Sequence, residues 1–409
     1  MDIDTVVRKA VEEVEVVDVH THLFPSSHGK LLLWGVDELL TYHYLIAELF
    51  RVAPLSLQPD AFYSLSKHDQ ADLVWKHLFI ERTPISEAAR GVLTTLKELG
   101  LGELVKKRDI DSIRAYFATF TAEEYLEKVF TTARVKYAVM TNIPFDPVEA
   151  EHFDSSAKPI PSRLKTALRI DDLFNWKKAS AVLKEKGFEE SYDGAKAYLR
   201  VWKEKMKPEY LMASFPFDLR YPSTTNGVDE MGNIIDGVVI PLAREFNLPV
   251  ALKCGTQRQV NPQLRQAGDS VGVADVNVIQ SLCQRYPDVK FLATFLSKEN
   301  QHQLIVTARK FRNLHIYGCW WFCNNPSIID EVSRMRVEML GLSVTLQHSD
   351  ARILDQLLYK WSHSRRVIAE VLVEKYKDLV QTGWEVSEEE VKRDVWLLFG
   401  GSYEQFMSA

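Results

Sequence analysis

The fold is decided by one stretch near the start of the chain, Val16-Val17-Asp18-Val19-His20-Thr21-His22-Leu23-Phe24-Pro25. Its β-branched residues form an almost continuous apolar run, which is typical of a buried parallel strand. Successive side chains of a strand point to opposite faces, so His20 and His22 can present both imidazoles to one centre. At the carboxyl end of a first barrel strand, such a pair predicts a catalytic metal site. The spacing alone is equally compatible with a chance pair on a surface strand.

The composition is that of a globular protein and argues against several classes of partner. The chain has 409 residues, of which 46% are hydrophobic and 26% charged. A formal net charge of -6 argues against a general nucleic-acid binder, so an anionic ligand would have to be attracted by a local arginine cluster. The sequence has no signal peptide, long apolar run or lipidation motif, so we expect a cytoplasmic protein without a membrane partner.

Four cysteines, Cys254, Cys283, Cys319 and Cys323, lie in the second half of the chain. So few thiols do not indicate a disulfide framework. The spacing of the last two is compatible with a metal clip, but the bulky Trp320-Trp321-Phe322 between them favours free, buried thiols.

Eight short segments have the pattern of buried strands. They are residues 14–19, 137–140, 166–170, 210–214, 249–253, 289–295, 314–317 and 343–346. Helical patterns separate most of them, including residues 234–246, 275–286, 300–311 and 327–339. Eight such units in succession predict a (β/α)8 barrel.

Two further regions are predicted to be helical. The first follows the first strand and has helical patterns at residues 36–50, 66–80, 86–98 and 121–130. The second is the C-terminal tail, with helical patterns at residues 357–377 and 387–407. We therefore divide the chain into a first strand with its metal motif (1–28), a helical insertion over or beside the barrel mouth (29–132), and the remaining barrel with its C-terminal helices (133–409).

Active sites of such barrels lie at the carboxyl ends of the strands, and several polar side chains are predicted there. Beyond the two histidines these are Arg169, Lys253, Arg258, Asp350 and Arg352. Two histidines and one carboxylate can hold a divalent metal, and the last strand lies beside the first when a barrel closes. His20, His22 and Asp350 are therefore predicted to share one ion. The alternative for Asp350 is an N-cap of a helix that begins at Ala351.

Taken together, the chain resembles the amidohydrolase superfamily and, within it, more closely the uronate isomerase family. The resemblance covers most of the chain, and its motifs are specific in combination. They are Asp18-Val19-His20-Thr21-His22, His43-Tyr44, Leu168-Arg169, residues 255–258, Gly318-Cys319-Trp320-Trp321-Phe322-Cys323-Asn324 and Ser349-Asp350-Ala351-Arg352.

The resemblance implies a substrate, a reaction and a set of roles. The substrate would be a ring-opened hexuronate, such as glucuronate or galacturonate, converted from aldose to ketose by moving a proton from C2 to C1 through an enediol. His20, His22 and Asp350 would hold zinc or a similar ion, and Tyr44 with Arg169 would remove the C2 proton. The chemistry of the reaction also places Asp350 to return a proton to C1, directly or through metal-bound water. Substrate contacts are expected from His43, Lys253, Arg258, Trp321 and Arg352. We expect the protein to bind a small sugar acid and to form a homo-oligomer.

The chemistry of the expected base is reasonable without the resemblance. A tyrosine, with an ordinary pKa of about 10, is a poor base near neutrality unless a cation stabilises its phenolate. Arg169 is permanently charged and could do so. The alternative for Tyr44 and His43 is an ordinary, partly buried position in a helix, since Tyr44 lies at helical spacing from Leu40.

One position departs from the pattern of the family. A histidine is typical at the end of the fifth strand, and Lys253 takes that place here, followed by Cys254. A lysine can donate a hydrogen bond to a substrate oxygen but does not replace a histidine in every role.

Two other functions stay open on the sequence alone. A mononuclear hydrolase or decarboxylase would use the same fold and His-x-His pair, although a two-metal site is disfavoured because neither the fifth nor the sixth predicted strand ends in histidine. A barrel that only binds a sugar acid or a partner would lack some metal ligands, and all of them are present.

Overall fold

Seven parallel strands curve into one sheet in the computed structural model, which describes residues 2–154 and 159–409. The strands are β1 (Val16–Thr21), β2 (Val135–Asn142), β3 (Leu164–Arg169), β4 (Leu211–Pro216), β5 (Val250–Gln257), the short antiparallel β6 (Ser270–Val271), β7 (Phe291–Phe295) and β8 (Leu314–Ile316). The parallel order is β1-β2-β3-β4-β5-β7-β8, with β6 paired to β5. The predicted (β/α)8 architecture is confirmed.

The eighth predicted strand, residues 343–346, has the expected place but is not a regular strand. It forms one parallel bridge, between Thr345 and Tyr317. The segment that follows reaches β1 through two backbone hydrogen bonds, from Asp350 to the carbonyl of His20 (3.2 Å) and from His22 to the carbonyl of Ala351 (2.8 Å). This segment therefore joins the two edges of the sheet and brings Asp350 beside the His-x-His pair.

The predicted helical insertion between β1 and β2 is helical, although its elements are shorter and more numerous than expected. Its helices are Val36–Leu40, His43–Val52, Pro59–Tyr63, Lys67–Trp75 with a π-helical turn at Lys76–Ile80, Glu87–Glu98, Gly102–Lys107, Ile110–Phe117 and Ala122–Ala133. The single helix predicted at residues 36–50 is wrong, because the chain is extended at Tyr42 (φ -69°, ψ 145°). The second helix therefore begins at His43.

Most of the other helices lie between successive strands or in the tail. They are Ile3–Glu13, Pro147–Asp154, Trp176–Glu185, Tyr192–Met206, Met231–Ile234 continuing through Ile235–Val239 to Ile240–Phe246, Asn277–Arg285, Gln301–Ala308, Pro326–Leu340, Gln356–Gln381, Glu388–Trp396 and Ser402–Ser408. Within the described ranges, no helix is long and apolar enough to cross a membrane. The three-part division of the chain stays a prediction.

The C-terminal tail closes the barrel interior at the end opposite the strand ends that carry the site. The predicted helix at residues 387–407 is broken near Gly400, where φ is 133°. A Cβ at this position would lie 2.5 Å from the Cβ of Val17, so only glycine lets the tail approach β1 this closely. Tyr403 then packs with the apolar side chains that fill the barrel, Val17 and Val19 among them. The tail thus closes this end of the barrel interior.

Candidate active site

Three metal-ligating side chains converge where β1 meets the segment after Thr345. His20 Nε2 lies 3.1 Å and His22 Nε2 3.4 Å from Asp350 Oδ1, and the three ligand atoms all lie within 4.8 Å of one another. A tetrahedral ion with bonds of about 2.0–2.2 Å separates its ligand atoms by about 3.3–3.5 Å. Thr141 Oγ1 lies 3.2 Å from His22 Nδ1 and helps to orient that ring. The donor set therefore fits a divalent ion, and the three residues predicted from the sequence as its ligands lie close together.

Asp350 is held in an unusual backbone conformation. Its φ is 52°, in the left-handed region that side chains other than glycine rarely adopt. The helix that follows starts at Gln356, so the alternative of an N-cap at Asp350 is wrong. The neighbouring Ser349 donates its backbone N–H to Asp18 Oδ1 (3.0 Å), and Trp361 Nε1 donates to the other oxygen of Asp18 (2.9 Å). The buried carboxylate of Asp18 thus fixes the turn that aims Asp350.

Lys253, from β5, lies against the same donor atoms. Its side chain is 1% exposed, and Nζ lies 2.9 Å from Asp350 Oδ1 and within hydrogen-bonding distance of His20 Nε2. Burial lowers the pKa of Lys253 to about 8, although Asp350 favours its charged form. Burial also lowers the pKa of His20 well below its ordinary value, and Lys253 adds to this effect. Burial alone would raise the pKa of Asp350, but Lys253 and the hydrogen bond from His22 hold it well below its usual range.

A cavity of about 240 Å³ opens in front of this cluster. Eight of the residues predicted from the sequence line it: His22, His43, Arg169, Lys253, Arg258, Trp321, Asp350 and Arg352. His20 lies behind them, fully buried. The polar, cation-rich wall suits a small anionic and hydroxylated ligand better than an apolar one.

The four cationic side chains that line the cavity differ in whether a carboxylate already pairs with them. Arg169 pairs with Asp171 (2.8 Å), Arg258 with Asp269 (2.5 Å) and Lys253 with Asp350. Arg352 donates to the amide oxygen of Gln266 (3.2 Å) and forms no salt bridge with any carboxylate in the described parts of the chain. Its charge is therefore available to an anionic ligand.

His43 and Tyr44 begin the helix that covers the cavity, and they take different positions. His43 lines the cavity, with its ring centroid 5.3 Å from that of Trp321. Tyr44 lines an adjoining cavity that shares His43 and Trp321 with the first. Its hydroxyl is buried and makes no hydrogen bond of good geometry within the described residues, and burial, with Tyr42 beside it, raises its pKa well above the ordinary value. No contact between Tyr44 and Arg169 is present, and their pairing as a base stays a prediction.

Trp320 and Trp321 both line the cavity, although neighbouring residues of an extended chain would point to opposite sides. The chain is not extended here: Trp321 has φ 44° and starts a 3-10 turn. Gly318 precedes it with φ 64°, and a Cβ there would lie 1.6 Å from His348 Nδ1. Only glycine fits at position 318, because the His348 ring lies directly against its backbone.

Some cavity residues were not found from the sequence. They include Tyr42, Asp146, Glu149, Gln266 and Trp320. Glu149 accepts a hydrogen bond from the backbone of Ile143 (2.8 Å), and burial raises its pKa to about 7. The available signal was its place shortly after the end of β2, in the first turn of the following helix, because barrel sites form at this edge.

The predicted free thiols are confirmed. All four cysteines are buried and unpaired in disulfides, and Cys323 Sγ lies 3.0 Å from the carbonyl of Leu296. Burial raises the pKa of Cys323 to about 12, so it behaves as a small apolar side chain.

The solved structures that are similar to this chain include uronate isomerases. The chain is 46% identical to a uronate isomerase from Bacillus halodurans C-125, with a TM-score of 0.95 and coverage of 99% of this chain and 96% of that one. A uronate isomerase from Thermotoga maritima has 15% identity, a TM-score of 0.80 and coverage of 99% and 97%. A glucuronate isomerase from Caulobacter crescentus has 16% identity, a TM-score of 0.67 and coverage of 98% and 94%. The latter two show the shared fold. No protein-family model and no curated protein matches the chain.

Proposed function

The chain belongs to the uronate isomerase family, and we propose that it converts the open-chain aldehyde of a hexuronate into the corresponding 2-ketose. The observation that carries the proposal is one cavity lined both by the carboxyl group of Asp350 and by Arg352, a cation without a salt bridge to any described carboxylate. The reaction moves one proton from C2 to C1 and a second from the C2 hydroxyl to the C1 oxygen, and it needs both a base and a site for the acid group of the sugar. Glucuronate and galacturonate are the substrates to test first.

The proton transfer is assigned to Asp350. A proton at C2 is acidified by the neighbouring aldehyde, and a carboxylate positioned on one face of the sugar can take it and return it to C1. Lys253 and His22 hold the pKa of Asp350 well below its usual range, which favours the carboxylate form that can accept the proton. Because a carboxylate with a low pKa is a weak base, the negative charge that develops on the substrate oxygens must be stabilised by nearby donors.

Tyr44 and Arg169 are the proposed donors. Burial keeps the phenol of Tyr44 protonated, and its hydroxyl makes no hydrogen bond of good geometry within the described residues. An unpaired buried donor costs about 1–3 kcal/mol, which a ligand oxygen can recover. We therefore assign Tyr44 to the C1 oxygen as a hydrogen-bond donor, whereas the sequence had suggested it as the base. Arg169 adds a fixed positive charge at the cavity wall.

The acid group of the sugar is assigned to Arg352. A guanidinium without a carboxylate partner gains most from a bidentate, charge-assisted contact. Arg258 and Arg169 already pair with Asp269 and Asp171, and their charges are partly neutralised. His43 and Trp321 form the neighbouring wall and position the carbon chain.

His20, His22 and Asp350 would hold the metal, for which we propose zinc. Two imidazoles and a carboxylate in an open site are a common zinc set. When bound, the ion supplies a positive charge that polarises substrate oxygens. The residues of the chain still perform the proton transfer and the recognition of the carboxylate.

The test is proton NMR of glucuronate and galacturonate incubated with the purified protein in deuterated water, with and without added zinc. The expected result is loss of the aldose signals and appearance of the 2-ketose. Deuterium at C1 would report exchange of the transferred proton with solvent. The matched control is Asp350→Asn, which keeps the shape of the side chain but lacks the carboxylate. If both sugars are unchanged in both conditions, the proposed function is wrong.

A further inference from the structure

We propose that Lys253 is a built-in competitor for the metal: its side chain occupies two of the three donor atoms, so this chain binds a divalent ion more weakly than the same site without the lysine. The inference rests on the ion site of the proposed function, at His20, His22 and Asp350. The contacts that carry it are those of Nζ with Asp350 Oδ1 (2.9 Å) and His20 Nε2.

The competition between Lys253 and a metal ion follows from the single nitrogen lone pair that a neutral imidazole offers. A neutral histidine has one nitrogen with a lone pair, and that lone pair either accepts a hydrogen bond or binds a metal. At His20 the nitrogen that faces Asp350 is Nε2, and it is the one that meets Lys253. A metal at this position must therefore displace the lysine from His20.

Asp350 adds a second point of competition. The same oxygen, Oδ1, lies 3.1 Å from His20 Nε2, 3.4 Å from His22 Nε2 and 2.9 Å from Lys253 Nζ. It is therefore the common ligand of the predicted ion and of the lysine. Two positive charges that share one carboxylate oxygen in a buried site repel each other strongly, since the local dielectric is low.

Lys253 has little freedom to withdraw. It lies in the middle of β5 and pairs in register with Ser214 of β4 and Thr294 of β7. Its side chain is 1% exposed, and Nζ lies 4.5 Å from the ring centroid of Trp320. Displacement of the ammonium would break these contacts, so the competition is part of the resting site.

A second buried lysine serves as a matched control. Lys360 is also almost fully buried, but its Nζ donates to the backbone carbonyl of Ser349 (2.7 Å). No contact between Lys360 and the three donor atoms is present. Removal of Lys360 therefore deletes a nearby buried charge without freeing any of the three donor atoms.

The experiment measures zinc affinity by competition with a chromophoric chelator, without any sugar. The proteins are the wild type, Lys253→Met, Lys360→Met and the double variant Lys253→Met/His22→Ala, each checked for folding by circular dichroism. We expect Lys253→Met to bind zinc at least about tenfold more tightly than the wild type, the scale on which neighbours of a metal site change its affinity. Lys360→Met should stay close to the wild type, and the double variant should lose the gain.

Three results would overturn the inference. They are equal or weaker zinc binding by Lys253→Met, an equal gain in Lys360→Met, and a gain that survives removal of His22. Should Lys253→Met fail to fold, Lys253→Leu takes its place in the same comparison. Since no substrate is used, a failure here leaves the NMR test of the isomerase intact, and a failure there leaves this result intact.

Discussion

Two buried carboxylates in one short segment, Asp350 and Asp355, have opposite surroundings. Asp350 faces a cavity and meets Lys253, His20 and His22, and its pKa is held well below the ordinary value. Asp355 accepts hydrogen bonds from the Tyr125 hydroxyl (2.5 Å) and the Gly35 backbone (2.8 Å), and burial raises its pKa to about 6.

The difference separates a working group from a structural one. The partners of Asp350 are ionisable side chains from two strands beside a space that a ligand can enter. The partners of Asp355 are neutral donors from the helical insertion, so this carboxylate ties the insertion to the barrel segment. Burial of a charge alone does not identify a site, whereas burial beside cations and a cavity does.

The largest effect expected from this comparison comes from exchanging each carboxylate for its amide. Asp350→Asn should lower turnover of the uronate by about 10³-fold or more, because a positioned proton-transfer group contributes about 10²–10⁴-fold. Asp355→Asn should keep near wild-type turnover and instead change the free energy of unfolding. Steady-state kinetics and urea unfolding of both variants check this. Comparable loss of turnover in the two variants would refute the division of roles.

Each carboxylate has a tyrosine nearby, and this pair gives the next effect. Tyr44→Phe should lower kcat by about 10²–10³-fold, since it removes a donor to the developing oxyanion. Tyr125→Phe should leave kcat close to that of the wild type and lower the free energy of unfolding by about 1–3 kcal/mol, because it removes a buried hydrogen bond of Asp355. Normal kcat in Tyr44→Phe, with the protein folded, would exclude this tyrosine both as donor and as base.

The fold was largely predictable because strand patterns are local. Apolar runs such as residues 14–19 and 289–295 mark buried strands, and the eight segments in succession allow few topologies. The interruptions of individual helices and strands were not predictable. The interruption at Tyr42 depends on how two short helices meet the barrel, and the bridge at Thr345 depends on where the tail approaches β1.

The site was predictable as far as strand ends determine it. His20, His22 and Asp350 meet because β1 and the last segment close the barrel, which the topology required. The contact of Lys253 with His20 joins strands that are not neighbours in the sheet, so it depends on side-chain length across the interior. The positions of Trp320 and Trp321 depend on a positive φ that no periodicity reports.

The pH dependence of stability provides a third test. The pKa of Asp355 is about 6 in the folded protein against an ordinary value of 3.8, so the folded state holds this proton more tightly than the unfolded state. Its contribution to stability is complete below about pH 4 and is lost as the pH rises through about 6. Two pKa units correspond to about 3 kcal/mol.

The measurement is urea unfolding of the wild type and of Asp355→Asn at several values between pH 4 and pH 7. The stability of the wild type relative to the variant should fall by about 3 kcal/mol over this range. Other buried acids such as Asp18, whose pKa is also raised to about 6, are present in both proteins and cancel in the difference. A difference that is constant with pH would show that Asp355 does not titrate in this way.

The smallest expected effect concerns Arg352, which lies between Asp350 and Asp355 in the sequence and lines the cavity. Within the part of the chain that the structure describes, its guanidinium donates only to the neutral Gln266, whereas Arg258 of the same cavity pairs with Asp269. Arg352→Met should therefore lower kcat/KM for a uronate by about tenfold or somewhat more, since a charge-assisted hydrogen bond contributes about 1.5–3 kcal/mol. Arg258→Met should cost less, because its charge is already matched. Turnover of the neutral aldose with the same carbon skeleton separates the causes: a loss confined to the acid identifies Arg352 as the group that binds the carboxylate, and equal losses for acid and neutral sugar would assign that role elsewhere.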